Sequence, residues 1–171
     1  QLERAIDGIA DGCRALGVPV VSGNVSLYNE TPDGPILPTP VVGTVGLLDD
    51  RRARLRLGWD AGDELWLLGE PADDAAMLAG SELAWRRGRR GGAPALAVEP
   101  VTRLVALLAG LSGIASAAHD ASTGGLGTAL ARMAIAAGCG AAVSLESARP
   151  TALLHGERAG RVVAAVAPRH A

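Results

Sequence analysis

The sequence contains no phenylalanine, one tyrosine and three tryptophans. A core must therefore be assembled from Ala, Val, Leu and Ile. An aromatic stacking platform for single-stranded nucleic acid is excluded. Cysteine is scarce as well. Cys13 and Cys139 stand far apart, in no metal-ligand spacing, and read as two small buried thiols of a reducing compartment, the cytoplasm. No apolar run approaches the length of a membrane span, and no secretory signal precedes the first helical pattern. The charge imbalance is slight, −2 with a pI near 5.9, which gives no bulk attraction to nucleic acid or to an anionic membrane. No P-loop and no dinucleotide-binding fingerprint occurs, so a bound nucleotide would need another architecture.

What is present is apolar and regular. Hydrophobic residues make up 49% of 171, enough for one ordinary domain or two small ones and too many for a disordered chain. The chain opens at Gln1, without an initiator Met, and runs directly into a helical pattern, as expected of a piece of a longer protein. Over residues 2–16, Leu2, Ile6, Ile9, Cys13 and Leu16 share one helical face, and Gly17 is the stop signal. A strand is expected at 18–22, a loop at 27–40 and a second strand at 41–48 beside the first. The charged stretch Asp49 to Arg56 reads as a link between two domains, the second beginning near Gly58.

Beyond it, strands are expected at 64–69, 114–118, 141–145 and 161–167. Helices are expected over 72–86, around Val101–Leu111, and from Leu126 to Ala137, the last capped by Ser122 or Thr123. Arg86-Arg87-Gly88-Arg89-Arg90-Gly91-Gly92 is short, lacks aromatics and sits in an acidic chain, so it reads as a solvated surface loop and not a nucleic-acid arm.

The stretch with the most chemistry is Val20-Val21-Ser22-Gly23-Asn24-Val25-Ser26-Leu27-Tyr28-Asn29-Glu30. A β-forming run ends in a small polar turn. Gly23 can take a positive φ, and Asn24 and Ser26 offer an amide and a hydroxyl, suiting a backbone that approaches a phosphate or a metal. On the residues alone, an ordinary strand-ending turn with Asn24 in an Asx turn is the favoured reading. Asp120, after a strand and before a helix, faces the mouth of a sheet where ligands bind, or else caps the helix. His119 has no nucleophile with a clear third partner, and His155 and His170 read as incidental.

Gly23 to Glu30, with Pro38-Thr39-Pro40-Val41-Val42-Gly43, resembles the second half of phosphoribosylformylglycinamidine synthase. His119-Asp120-Ala121-Ser122-Thr123-Gly124-Gly125-Leu126 resembles that family's His-Asp-x-Ser-Asp-Gly-Gly-Leu signature, with Thr123 where the pattern has Asp. The weaker blocks Gly62 to Trp66 and Gly80 to Glu82 fall between them in the expected order, so the resemblance spans nearly the whole chain.

The resemblance implies an α/β (α+β) fold. Residues 1–57 would end an AIR-synthase N-terminal-like domain, and residues 58–171 would form an AIR-synthase C-terminal-like α/β domain, both of the family's second copy. It implies an ATP-dependent ligase of purine biosynthesis, with Mg2+, acting on formylglycinamide ribonucleotide. Its partners would be a glutaminase subunit, a small accessory subunit and an N-terminal half of the same chain, with no nucleic acid and no membrane.

Carried over residue by residue, Gly23 contacts ATP, Asn24 binds Mg2+, Ser26 contacts substrate, and Asp120 is a second metal candidate weakened by the loss of a carboxylate at Thr123. Tyr28, Asn29 and Glu30 match without an assigned role. The catalytic residues lie in the family's other half, so the chain alone is expected to be inactive. Two alternatives stay open: another ATP-binding member of the superfamily, such as aminoimidazole ribonucleotide synthase or selenophosphate synthetase, and a scaffold that kept the fold.

Overall fold

A computed structural model describes residues 1–69, 74–93 and 96–171. These residues divide into two compact units, Gln1–Leu47 and Leu48–Ala171. Ala72 and Asp73, the start of the expected helix 72–86, lie outside the described residues.

The first unit opens with helix α1, Leu2–Leu16. It ends where Gly17 turns left-handed, with φ 65°. There the N–H of Gly17 bonds to the Arg14 carbonyl and that of Val18 to the Cys13 carbonyl, closing orphan carbonyls as glycine-terminated helices do. A small hairpin follows, strand β1 at Glu30–Thr31 antiparallel to β2 at Gly34–Pro35. The Thr31 hydroxyl donates to the Gly34 carbonyl and accepts the Asp33 N–H, tightening the turn.

Residues 18–22 and 41–48 do not form the expected strands. Neither has regular secondary structure, and neither pairs as a strand with the other or with any described residue. Their side chains stand in solvent, Val21 91% and Val45 97% exposed. β-branched residues favour extended backbone, yet a strand exists only when a neighbour accepts its hydrogen bonds.

The second unit is built on a three-stranded antiparallel sheet. Strands β3, Glu64–Gly69, and β4, Ala115–Asp120, flank β5, Arg161–Val166, in the order β3-β5-β4. Every residue of β5 is buried, as a Val- and Ala-rich run covered on both faces must be. Val163 and Ala165 face a cluster with Trp59, Ala117, Leu126, Ala129, Met133 and Leu153. Helix α4, Gly125–Ala137, supplies the helical side of that cluster, and helix α3, Val98–Gly110, lies against β3. The small residues of β4 and β5 let α4 approach closely. The segment before β3 also meets the end of α4 closely: a Cβ on Gly58 would come within 2.6 Å of the Ala137 backbone nitrogen.

Other expectations need correction. Residues 141–145 form no strand and have no strand partner among the described residues. The region after Asp73 is a short 3-10 turn, Ala75–Leu78, followed by helix α2, Glu82–Arg86, capped by Ser81. Residues 86–93 are exposed, with Arg90 5.3 Å from the Trp85 ring centre.

Helix α5, Pro150–His155, was not expected. It is anchored by buried Arg161, whose guanidinium donates to the Leu153 carbonyl at 3.1 Å and the Gly156 carbonyl at 3.4 Å. Burial, and then the charge of Arg158, lowers the Arg161 pKa. Neither cysteine is fully buried; both are half-buried thiols, and Cys139 accepts the Trp59 indole N–H at 3.2 Å. No described helix is long and apolar enough to cross a membrane.

Met133 is fully buried at the centre of the cluster. Met133→Ala is expected to lower unfolding free energy by about 2–5 kcal/mol. Leu47→Ala, at an exposed side chain, is expected to stay within about 0.5 kcal/mol of wild type. Denaturant midpoints at unchanged slope measure both. Equal losses at the two positions would show that the core is not centred on α4 and β5.

Candidate functional site

Two loops carry the chemistry, one in each unit. In the first, residues 22–28 are exposed, without regular secondary structure, and lead into the hairpin. Gly23 does not use the left-handed region open to glycine, and a Cβ there would meet nothing within 4 Å. The fold of this unit therefore does not require glycine at 23; a ligand lying against the backbone would. Asn24 forms no Asx turn, and neither its amide nor the Ser26 hydroxyl is bonded to a described residue. The backbone N–H groups of 23–27 likewise lack partners among the described residues. The loop is a row of open donors beside one amide oxygen and one hydroxyl.

Asn29 shapes that row. Its side-chain amide donates to the Ser26 carbonyl at 2.6 Å, while its own carbonyl accepts the Ile36 N–H at 3.2 Å. One residue thus ties the loop to the hairpin. Its place in the Tyr28-Asn29-Glu30 block, next to a dense turn signal, was the trace of this in the sequence.

The second loop starts at the last residue of β4. Asp120 accepts from the Ser122 hydroxyl through one oxygen and contacts His119 Nδ1 at 3.0 Å through the other. The Ser122 hydroxyl holds the carboxyl below its ordinary pKa; partial burial opposes this, and His119 adds to it. The carboxylate stands between the other two groups, so the serine is hydrogen-bonded to the acid and not to the imidazole. A nucleophile activated by histidine needs the imidazole in the middle, and this arrangement activates none. His119 Nε2 is buried without a hydrogen-bond partner among the described residues.

Asp120 does not cap α4, and neither Ser122 nor Thr123 does so by side chain. The N-cap is Gly124, at φ 83°, followed by Gly125 at φ 73°. The Gly125 N–H bonds to the Ser122 carbonyl at 2.8 Å. A Cβ on Gly125 would lie 2.6 Å from the Leu154 carbonyl oxygen, so glycine is needed there for backbone angle and for room. The side chain missed by sequence reasoning is Glu157. One of its oxygens accepts both the Gly124 N–H, at 2.9 Å, and the Glu82 N–H, at 2.7 Å. It ties the starts of α4 and α2 together and supplies the negative charge that helix N-termini favour. Nothing in the local sequence marked it, because its partners lie 33 and 75 residues away.

A helix-covered antiparallel sheet in one unit and a helix with a small hairpin in the other are the class these features define: a two-part α/β chain of the AIR synthase type. Residues 60–171 match the model of the AIR synthase related protein, C-terminal domain, and residues 1–48 that of the AIR synthase related protein, N-terminal domain. The chain belongs to the AIR synthase related protein family.

It is 45% identical to the phosphoribosylformylglycinamidine synthase subunit PurL of Parafrankia sp., 44% to that of Mycobacteroides abscessus and 41% to that of Rhodococcus jostii. Each alignment covers 97% of this chain and 22% of the relative. The chain thus spans about a fifth of the length of these curated relatives.

Asp120, with its folded pKa depressed, contributes stability above the ordinary carboxylate range, and that contribution is lost as pH falls through the lowered folded value. Asp120→Asn is expected to lower the melting temperature at neutral pH and to narrow its gap from wild type below about pH 4. Melting curves across the acid range check this. A gap that is constant with pH would show that the carboxylate charge has no part in holding the loop.

Proposed function

We propose that this chain is part of a phosphoribosylformylglycinamidine synthase, a ligase of purine biosynthesis. The observation that carries the proposal is 45% identity to a named synthase subunit along 97% of the chain. The reaction joins formylglycinamide ribonucleotide, ATP and ammonia released from glutamine. The γ-phosphoryl group passes to the amide oxygen and ADP leaves. Ammonia then adds to the activated carbon, and phosphate departs with the former amide oxygen, leaving the amidine. The proposed partners are a glutaminase subunit, a small accessory subunit and a further half of the same polypeptide, in the cytoplasm. The proposed division of the chain is 1–57 and 58–171, falling between the two matched ranges.

Within this reading, the exposed backbone at Gly23 lies against ATP, and the Ser26 hydroxyl donates to the ribonucleotide. The open amide oxygen of Asn24 fits one ligand position of Mg2+, a cation that takes oxygen donors and shares them with substrate phosphates. Bound Mg2+ would neutralise phosphoryl charge. No group of three His, Cys, Asp or Glu side chains converges among the described residues, so Asn24 is one contributor and not a cage. Asp120 is the weaker metal candidate, since Ser122 and His119 already engage both its oxygens.

Kinetics of the intact enzyme separate these roles. Ser26→Ala is expected to raise KM for the ribonucleotide about ten- to hundredfold, the loss of one hydrogen bond to a charged group at roughly 1.5–3 kcal/mol. Asn24→Ala is expected to raise the magnesium requirement and depress kcat. Gly23→Ala is expected to weaken ATP binding without lowering the melting temperature, because its Cβ meets only open space in the free protein. Wild-type kinetics in all three variants would reduce the loop to a turn.

A further inference from the structure

The second unit carries a basic cleft of about 700 Å³ that the proposed reaction does not use. Its position follows from strand pairing. Ala115 at the start of β4 is in register with Val166 at the end of β5, so the residues before β4 and after β5 meet at one end of the sheet. The segment 51–56, a 3-10 turn over Arg51–Ala53, reaches the outer edge of β4 at Arg56. Arg56 is pinned to that edge by its N–H to the Ser116 carbonyl, at 3.3 Å, and by its carbonyl, which accepts the Ala118 N–H at 3.0 Å. After β5, the His170 N–H returns to the Ala167 carbonyl at 2.8 Å, turning the chain so that Arg169 lines the same cleft.

Five arginines line the cleft against two carboxylates, Asp60 and Asp63, in a chain whose net charge is −2. The carboxylates are already engaged. Asp60 pairs with Arg56 at 2.5 Å, and Asp63 accepts the Asp60 N–H and the Ser116 hydroxyl. Arg52 pairs with Asp50 at 2.8 Å. Arg51, Arg54 and Arg169 are left exposed, with no carboxylate within ion-pair distance among the described residues. Arg169 Nε donates to His170 Nε2 at 3.2 Å, which leaves its terminal amino groups open. Guanidinium groups clustered in a concave site match the planar, paired acceptors of phosphate oxygens. Leu55, Ile114 and Ala115 give the cleft an apolar lining, so the ligand can carry an uncharged portion as well.

We propose that this cleft binds a phosphate-bearing anion through Arg51, Arg54 and Arg169. All the residues that line the cleft belong to the second unit, and the proposal does not depend on the synthase reading.

Inorganic pyrophosphate and, in a separate arm, ADP are the probes, titrated into the intact protein by calorimetry and amide NMR. Saturable pyrophosphate binding is expected, with shifts centred on Gly113–Ser116 and Ala167–His170. The triple variant R51Q/R54Q/R169Q is expected to bind at least about tenfold more weakly. R103Q, whose arginine pairs with Glu99 on the exposed side of α3, is expected to bind as wild type. The three substituted side chains are exposed, so the melting temperature is expected to hold; if the triple variant fails to fold, the single reversal R54E gives the same reading.

ADP binding weakened in parallel with pyrophosphate binding assigns the phosphate to a nucleotide. Pyrophosphate binding without ADP binding assigns it to a free polyphosphate. Asn24→Ala leaves the pyrophosphate response intact, so loss of the synthase reading and loss of this one are distinguishable. Absence of saturable pyrophosphate binding, or binding undiminished in the triple variant and in R54E, overturns the proposal.

Discussion

The burial of β5 between two antiparallel neighbours is the constraint on which the second unit depends. Six consecutive residues from Arg161 to Val166 are removed from solvent. Their backbone groups must all be paired, and β3 and β4 are the elements that pair them. Once that register is set, the ends of the sheet are set with it. One end receives His119 and Asp120, close to the glycine-rich start of α4. The other receives the start of β4, the tail after β5 and the arginine segment 51–56. Both candidate ligand-facing regions of this unit are consequences of one strand's pairing.

Close packing then decides which residues are permitted. Alanines in β4 and β5 bring α4 near the sheet, and Gly58 and Gly125 stand where a Cβ would strike backbone. Bringing helix starts and backbone turns this near leaves N–H groups away from water, and Glu157 accepts two of them with a single oxygen. Buried Arg161 does the complementary work for the carbonyls at the end of α5. An acid at two helix starts and a base at a helix end are the arrangement that backbone dipoles favour. The Asp120 loop is thus held by packing on one side and by its own hydrogen bonds on the other.

The first unit rests on different physics. Its helix is ended by a local signal, the left-handed Gly17, but none of its residues is buried. Val20, Val21, Val41 and Val45 are likewise exposed. Large exposed apolar areas mark contact surfaces. The polar Gly23–Ser26 stretch lies within this apolar margin, with its donors open.

Local pattern alone was enough to identify α1 and its stop at Gly17, strand β3 at 64–69, and the apolar runs that became β4, β5 and α4. Each depends on periodicity or glycine chemistry within a few residues, which the order of amino acids records directly. Gly23, Asn24, Ser26 and Asp120 were singled out because they lie in short blocks that resemble a known family, and their roles stand as proposals. Tertiary structure alone decided whether an extended valine run became a strand. Residues 161–166 found two partners, while 18–22, 41–48 and 141–145 found none among the described residues. It also decided that Asn29 would hold the loop, that Glu157 would bridge two helix starts, that Arg161 would anchor an unexpected helix, and that separate arginines would share a cleft. Hydrogen-bond partners and charge neighbours are chosen across tens of residues, and no short window of sequence contains both members of such a pair.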